Sequence, residues 1–577
     1  MVTFAATPRL RTALRQTTDE YVLGNVVAVV SDNTDETLDA ITRRRILAGA
    51  GAASAVGLAG CTGGSGGNES ETNAAETSDG ESTTAATGGG TLNFAQSKSP
   101  LDFDPLKAND VPSLQVVEQV FDSLYTYAEG TELVPQLAAG EPEVNDDATQ
   151  YVVELREGVT FHNGEPITAE DVKYSFLAPG REETNNGSEF TMIDSITVVD
   201  DRTVQFDLKF AFGPFRHKLA WAPVPKAYRE ENKESFNRDP VGSGPFTLES
   251  ATEGDEVVME RWDEYHGDTP SLERVVFGPV EEPTTRVTTL KNGEFDIVQT
   301  VPPKLYSTVE SQEGSSVAER QGLGYYYLSF NCNEGPTADP KVREAIDYAV
   351  SMDQAVQNYI EPAGTRLTAP MPETVTDAWD FPTDEWADIS HDKDVDMAAQ
   401  LLEEAGVPTD YSWKIIVPPD DKREQIGVSV GNGLQEAGWG NVEVQRLDWG
   451  AFLDQYATGN EDDYNMYTLG WVDEFDPDGY LYYMFHPEVE SETNGCYYRN
   501  EEVADKLTQA RQSADREERN RLYTEATTTI LEDRAHLPAY NLKNSFGVRD
   551  AVEGFRPHTV SGINPRLTGE DTVSLDE

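Results

Sequence analysis

Hydrophobic and polar positions follow two different periods along the chain downstream of residue 90. Runs of β-branched and aromatic residues with a period near two predict strands, and they lie at 91–95, 151–155, 159–161, 193–199, 203–208, 413–417, 441–445 and 464–469. Apolar residues three and four positions apart predict helices, which we place at 111–127, 394–405, 423–437 and from 339 onward. Strands and helices alternate in the second half, and this alternation predicts α/β layers.

Several helix starts and turns carry local signals of their own. Thr168 has an acidic residue three positions on, which is the spacing of a helix N-cap with a reciprocal partner. Asp339 followed by Pro340 predicts a helix start, because proline suits the first helical position. The dipeptide Asn163-Gly164 tolerates a positive φ and predicts a tight turn after the strand at 159–161.

Upstream of this region, a basic cluster precedes a short apolar run. Arg43 and Arg44 open the cluster, uncharged small and apolar residues follow at 48–60, and Cys61 comes next. The run is far shorter than the roughly 20 apolar residues that span a bilayer, so it predicts a cleaved signal and not a permanent anchor. The paired arginines resemble a twin-arginine export signal and residues 58–61 resemble a lipobox, which implies that Cys61 receives lipid.

The composition changes again after this cysteine. Residues 61–90 contain no large apolar side chain, so they predict a flexible tether that cannot bury a core. We therefore expect an export signal with an N-terminal extension at 1–60, a tether at 61–90 and a globular head from 91. This order predicts a lipid-anchored protein at the extracellular face of the cell membrane, with no other membrane contact.

Length and charge limit the kinds of protein that this chain can be. The chain has 577 residues, 104 acidic and 44 basic, and a formal net charge of -60. Single cores stop growing at roughly 250 to 300 residues, so we expect two large lobes or more. The acidic excess excludes a broad attraction to nucleic acid. The many acidic side chains repel one another within a compact fold, and salt screens this repulsion, because the Debye length falls to about 3 Å at 1 M. We therefore expect a salt-loving source organism.

The head lacks the usual motifs of catalysis and metal binding. From residue 91 onward there is no His-Glu-x-x-His and no Gly-Lys-Ser/Thr, and the Gly-x-Ser-x-Gly pattern occurs once, at 427–431, inside the helix predicted at 423–437 and not on a strand-to-helix turn. We expect no enzymatic activity, no cofactor and no metal site. Cys332 and Cys496 are too few for a disulfide scaffold, and we interpret them as unbridged residues, with a bridge between them as the alternative.

A series of short motifs resembles extracellular solute-binding protein family 5, which serves peptide and nickel importers. They run in order along the head at 151–176, 241–246, 260–263, 265, 290–296, 328–331, 339–349, 401–406, 470–471 and 476–478. The combination is specific, whereas a single element such as Val-Gly-Ser-Gly-Pro-Phe is not. The resemblance covers about residues 92 to 560.

The resemblance implies an α/β, two-lobed periplasmic-binding-protein-like fold of the large, three-subdomain type, with a hinge between the lobes. We expect lobe one at 91–330 plus 539–577, including a subdomain at 129–237, and lobe two at 331–538. Two chain crossings, near 328–331 and 539–544, would join them. Closure of such lobes is a hinge motion that buries a ligand in the crevice between them.

The resemblance implies that this chain is the substrate-binding component of an ABC importer. It would capture oligopeptides or dipeptides and deliver them to a membrane permease that a partner ATPase drives. The alternative within this class is a receptor for oligosaccharides or another small solute such as a nickel chelate. A sensor or adhesion protein that needs no permease is a further alternative.

The resemblance also indicates candidate ligand-binding residues. In the family, an acidic residue after the Gly-Trp pair commonly meets the ligand's amino group, and here Asp473, Glu474 and Asp476 follow Trp471. The spacing is one residue shorter than the pattern, so all three stay candidates, with Asp473 and Asp476 favoured. The alternative is that they are solvated surface charges. Trp471 is our candidate for a wall of the cleft, although most such aromatics belong to cores.

A dipeptide site also needs a guanidinium for the far carboxylate. Arg423 follows the strand predicted at 413–417, and Arg366 precedes it. We name both as candidates for this role, which longer peptides do not require.

Overall fold

The computed structural model describes residues 89–252, 254–472, 474–568 and 572–576. The predicted export signal and residues 61–88 of the predicted tether, with Arg43, Arg44 and Cys61, lie outside these residues, and so does Asp473. None of the helices in the described ranges is long and apolar enough to cross a membrane.

The strands are numbered β1 to β20 in chain order. Their bounds are Thr91–Gln96, Tyr125–Tyr127, Leu133–Pro135, Glu143–Val144, Gln150–Glu154, Ile193–Asp200, Thr203–Leu208, Phe246–Ala251, Val257–Arg261, Arg274–Pro279, Ile297–Gln299, Ser315–Gln321, Gly324–Phe330, Gly364–Arg366, Trp413–Val417, Val442–Arg446, Met466–Val472, His536–Arg549, Val552–Glu553 and Ser574–Leu575.

The α-helices are numbered α1 to α16. Their bounds are Val111–Val120, Ala169–Glu182, Phe215–Lys218, Lys226–Glu231, Pro283–Asn292, Pro303–Glu310, Pro340–Ala349, Met352–Tyr359, Glu373–Ala378, Thr383–Ala387, Val395–Glu404, Asp421–Glu436, Trp449–Tyr456, Pro477–Phe485, Glu501–Arg511 and Arg516–Glu532.

A long strand, β18, joins the two halves of the main sheet. Its first half pairs with β13 and β14, for example Tyr326 with Tyr540, and its second half pairs with β11 and β12, for example Gln321 with Lys543. The order through the sheet is β16-β15-β17-β13-β18-β11-β1-β10-β9-β8. The chain has the predicted α/β, two-lobed fold, and the exact lobe boundaries stay a prediction.

A separate four-stranded sheet, in the order β4-β5-β7-β6, lies between α1 and β8 in the sequence. Residues of β5, β6 and β7 pack with α2 in a core of their own, which includes Tyr151, Val172 and Phe206. Alternation along β5 and β7 explains this packing, because every second side chain points to the core. The hairpin predicted at 193–208 is confirmed.

The same alternation gives β13 and β17 two different apolar faces. Tyr325 and Trp471 belong to one buried cluster, whereas Tyr326 belongs to another with Tyr540. Tyr325 is the register partner of Trp471, and Tyr326 is the register partner of Gly470. The candidate site lies where β17 ends between these two clusters.

Local helix signals are confirmed at three starts. Thr168 and Asp171 form a capping box at α2, and the side chains of Asp339 and Asp394 cap α7 and α11. Each cap supplies an acceptor for backbone N–H groups that the first turn cannot satisfy.

Two predicted elements are wrong. The helix predicted at 111–127 ends at Val120, because the N–H of Gly244 bonds to the carbonyl of Val120 at 2.9 Å and the chain turns into β2. The strand predicted at 159–161 is a single bridge between Thr160 and Pro166. Proline lacks the N–H that would extend the ladder.

The two cysteines of the described ranges are free. They are nevertheless neighbours, because the N–H of Cys332 donates to the carbonyl of Cys496 at 2.8 Å. Our interpretation of them as unbridged is confirmed.

Candidate functional site

The site begins at the carboxyl end of β17, where an acidic segment leads into α14. Asp476 caps this helix, and its Oδ1 accepts the N–H of Asp478 at 2.9 Å. Pro477 occupies the first helical position, which the fixed φ of proline favours. Contacts within the local sequence therefore orient Asp476 at the start of α14.

Asp476 pairs with a buried arginine of α16. Nη2 of Arg519 lies 2.6 Å from Oδ1 of Asp476, and each residue is 5% exposed. Burial by itself would raise the pKa of Asp476, but Arg519 and His217 together bring it below its ordinary value. The carboxylate is therefore ionised at neutral pH inside the protein.

The other oxygen of Asp476 is less well satisfied. Oδ2 is buried and has no hydrogen-bond partner, and Nε2 of His217 is 3.9 Å away. Burial lowers the pKa of His217 to about 4, although Asp476 acts in the opposite direction. The imidazole is thus neutral at pH 7, and Oδ2 remains an open acceptor.

Asp478, two residues later, is fully satisfied. Arg511 binds it in a bidentate manner, with Nη2 at 2.7 Å from Oδ2 and Nε at 3.0 Å from Oδ1. The same guanidinium lies over the ring of Tyr482 at 3.2 Å from the centroid. Asp478 therefore anchors α14 to α15 and offers no free acceptor.

Aromatic side chains connect this segment with the N-terminal part of the chain. The ring of Phe475 stacks on Tyr127 of β2 with centroids 4.1 Å apart, and His217 lies parallel to Phe475 at 6.2 Å. The N–H of Gly213 also donates to the carbonyl of Arg511 at 2.8 Å. The acidic segment thus faces residues far away in sequence.

Glu474 lies half-buried beside the start of α14. A Cβ on Gly479 would collide with Oε2 of Glu474, so the carboxylate passes directly over that glycine. The hydroxyl of Tyr480 donates to the carbonyl of Glu474 at 3.0 Å. Burial lowers the pKa of Lys218, but the charges of Glu189 and, to a smaller extent, of Glu474 raise it, so that the pKa lies above its ordinary value.

Trp471 is 4% exposed, and its indole N–H is buried without a partner. Its ring lies nearly parallel to Tyr483 with centroids 6.3 Å apart. Its side chain belongs to a core cluster, as our alternative interpretation of such aromatics expects. The unpaired N–H still leaves a donor beside the acidic segment.

The two arginine candidates lie elsewhere in the second half. Arg423 is 8% exposed, with its guanidinium over Tyr326 at 5.3 Å and with Nε unpaired. Arg423 therefore lies on the face of the main sheet opposite to the side chain of Trp471. Arg366 is in β14, where it bonds Asp353 at 2.8 Å and the carbonyl of Pro538 at 2.7 Å.

Sequence reasoning missed the cationic partners Arg511 and Arg519. A usable signal existed, because Arg519 lies on the apolar stripe of α16 with Leu522, Tyr523 and Ala526. An arginine on such a stripe is buried and needs an anion. His217 and Tyr127 gave no signal, since their contacts cross long stretches of sequence.

No group of three or more His, Cys, Asp or Glu side chains in the described ranges could hold a metal ion. Two histidines of the second half stack on tyrosine rings: His486 lies 4.1 Å from Tyr482, and His391 lies 3.9 Å from Tyr348.

Comparison with known proteins gives one consistent family. Residues 132–492 match the sequence profile described as bacterial extracellular solute-binding proteins, family 5 middle. The oligopeptide-binding protein AppA of Bacillus subtilis is 27% identical over 499 residues, which cover 82% of this chain and 89% of that protein.

Two solved structures have a similar fold. The periplasmic binding protein DppA of Helicobacter pylori, in complex with the peptide STSA, has a TM-score of 0.67 and 24% identity, covering 85% of this chain and 99% of that one. NikZ of Campylobacter jejuni, in complex with Ni(L-His), has a TM-score of 0.67 and 21% identity, covering 84% and 99%.

Proposed function

Because the chain belongs to family 5 of the bacterial extracellular solute-binding proteins, we propose that it captures small peptides outside the cell for an ABC importer. A membrane permease would receive the peptide, and a partner ATPase would supply the energy. The name of the oligopeptide-binding relative AppA supports this choice of ligand. Binding without chemical change is the activity that the family description supports.

The observation that carries the proposal is the unpaired oxygen of Asp476. A buried acceptor without a donor costs about 1–3 kcal/mol, so a ligand that brings a donor regains that energy. The ammonium group of a peptide is such a donor, and its positive charge suits an acidic segment. We assign the ligand's amino terminus to Asp476 together with Glu474 and Asp473.

Calorimetry with two matched variants tests this assignment. Asp476→Asn and Asp478→Asn each remove one buried carboxylate from an arginine, but only Asp476 has an open oxygen. We expect Asp476→Asn to weaken the binding of peptides with a free amino terminus at least tenfold, and Asp478→Asn to leave it within a factor of about three.

The same titrations use peptide pairs with free and acetylated amino termini. The acetylated peptides should bind weakly to both variants and to the unmodified protein. Equal losses in the two variants would refute the assigned role of Asp476, and tight binding of acetylated peptides would refute the ammonium contact.

We further propose that the ligand lies between lobes bounded as predicted, 91–330 plus 539–577 and 331–538. Trp471 would form one wall through its unpaired N–H. Arg423, whose Nε is also unpaired, is our favoured partner for a terminal carboxylate, because Arg366 already bonds Asp353. Since Arg423 and Trp471 lie on opposite faces of the sheet, the ligand would pass over the shared edge at which the parallel strands β15 and β17 end. Arg423→Gln should then weaken dipeptides more than long peptides in calorimetric titrations.

The export route and anchor belong to the same proposal. Arg43 and Arg44 would direct twin-arginine export, and lipid on Cys61 would hold the protein at the outer face of the membrane. Mass spectrometry of the mature amino terminus tests this directly. A lipid-modified Cys61 is the expected result, and an unmodified product inside the cytoplasm would contradict it.

A further inference from the structure

A cavity lies apart from the acidic segment that follows Trp471. It has a volume of about 470 Å³ and lies between the end of α1, the β2–β3 hairpin and the chain segment 554–568. Ligand pockets in proteins commonly have volumes of about 300–1,000 Å³, so a small organic molecule fits here. The charged side chains that line it are Glu118, Asp122, Glu129, Arg320, Arg556 and Arg566.

Strand β2 separates this cavity from the acidic segment. Thr126 and Ala128 line the cavity, whereas Tyr127 between them stacks on Phe475. Successive side chains of a strand point to opposite faces, so the two sites lie on opposite sides of β2. Trp471 and Asp476 are not among the lining residues.

The charge of the cavity differs from that of the whole chain. Three arginines line it, in a chain with 44 basic and 104 acidic residues. Burial raises the pKa of Glu118 to about 7 and that of Asp122 to about 8. At neutral pH these two carboxyls therefore carry much less negative charge than free ones, and the guanidinium groups dominate.

Two buried polar atoms of lining residues lack hydrogen-bond partners. Oδ2 of Asp122 and Oγ1 of Thr559 are unpaired, and each residue is 1% exposed. Oδ1 of Asp122 accepts from Gln136 at 2.6 Å and from Tyr265 at 3.2 Å, so the carboxyl is fixed in place. Nε2 of His266 lies 3.2 Å from Oδ2 without hydrogen-bond geometry. Unpaired buried groups beside a cavity indicate an occupant with polar groups of its own.

We propose that this cavity is a second binding site, which takes a small organic carboxylate of the size of a free amino acid. The planar fork of a guanidinium matches a carboxylate in geometry and charge, and Arg320, Arg556 and Arg566 supply three such forks. Asp122 and Thr559 would bond the polar remainder of the ligand. The site is independent of what the main cleft binds.

Equilibrium dialysis of the full chain in molar potassium chloride tests the proposal with three probes: propionate, L-alanine and propylamine. The test variant is Arg320→Gln with Arg556→Gln, because both arginines line the cavity, Arg556 is exposed, and Arg320 forms a surface ion pair with Glu129. The control is Arg446→Gln, which removes an exposed, ion-paired arginine outside the cavity. Asp476→Asn serves as the cleft variant.

We expect about one equivalent of propionate or L-alanine to bind to the unmodified protein, to Arg446→Gln and to Asp476→Asn. The double variant should bind them at least tenfold more weakly, and propylamine should not bind. Absence of saturable binding for propionate and L-alanine would overturn the proposal. Binding that survives in the double variant would also overturn the proposal, and so would binding that disappears in Asp476→Asn. In either case the probe would occupy a site other than this cavity.

Discussion

Arg519 and Asp476 form an ion pair of 2.6 Å in which both residues are 5% exposed. The pair joins the start of α14 to α16, and Arg519 also bonds the carbonyl of Ala510 at 3.1 Å and lies near Tyr523. It thereby fixes the acidic segment against two helices. Such a pair gives the candidate site a defined position.

Removal of the arginine should therefore be costly. We expect Arg519→Met to lower the free energy of unfolding by about 3–5 kcal/mol, because Asp476 would be left as an uncompensated buried charge. Arg521→Met on the same helix is the control, since Arg521 pairs only at the surface and should change stability by less than about 1 kcal/mol. Urea denaturation measures both, and similar stabilities would show that the buried pair is unimportant.

Stability should also depend on the protonation of His217. Its folded pKa of about 4 lies below the value of about 6.5 in an unfolded chain, so the unfolded state binds the proton first. The free energy of unfolding should fall as the pH decreases from about 6.5 to about 4, by an amount on the order of 1–3 kcal/mol from this group.

The variant His217→Gln isolates that contribution. Its stability should fall less over the same pH range than that of the unmodified protein, as urea titrations at several pH values would record. Parallel pH profiles would mean that His217 is not held neutral by the fold. Other buried histidines affect both proteins equally and cancel in the comparison.

The net charge of -60 predicts a dependence on salt. Screening shortens the Debye length from about 30 Å at 0.01 M to about 3 Å at 1 M, so dilution should increase repulsion within the fold. We expect the melting temperature, followed by circular dichroism, to fall as potassium chloride is diluted from molar to millimolar. An unchanged melting temperature would refute a halophilic adaptation.

Part of the fold could be predicted from local sequence, and part could not. The helix starts at Thr168, Asp339 and Asp394 are set by side chains that bond backbone within three residues, so their signals are visible in the sequence. The end of α1 at Val120 depends on Gly244, more than 120 residues away. A periodic pattern cannot reveal such a contact, and it extended the predicted helix too far.

The candidate site divides in the same way. The acidic segment after Trp471 was visible through the family resemblance, because its residues are contiguous. The difference between Asp476 and Asp478 was not visible, since it depends on how Arg519 and Arg511 approach from later helices. Only the folded chain distinguishes an open carboxylate from a saturated one.

The central claim is that a two-lobed receptor closes around a peptide and releases it unaltered. Small-angle X-ray scattering in molar salt, combined with mass spectrometry of the recovered ligand, tests it most directly. The account predicts a saturable decrease in the radius of gyration at about one equivalent of a peptide with a free amino terminus, and a peptide of unchanged mass after prolonged incubation. Scattering that stays constant across peptides, oligosaccharides and nickel-histidine, or a peptide recovered in fragments, would contradict it.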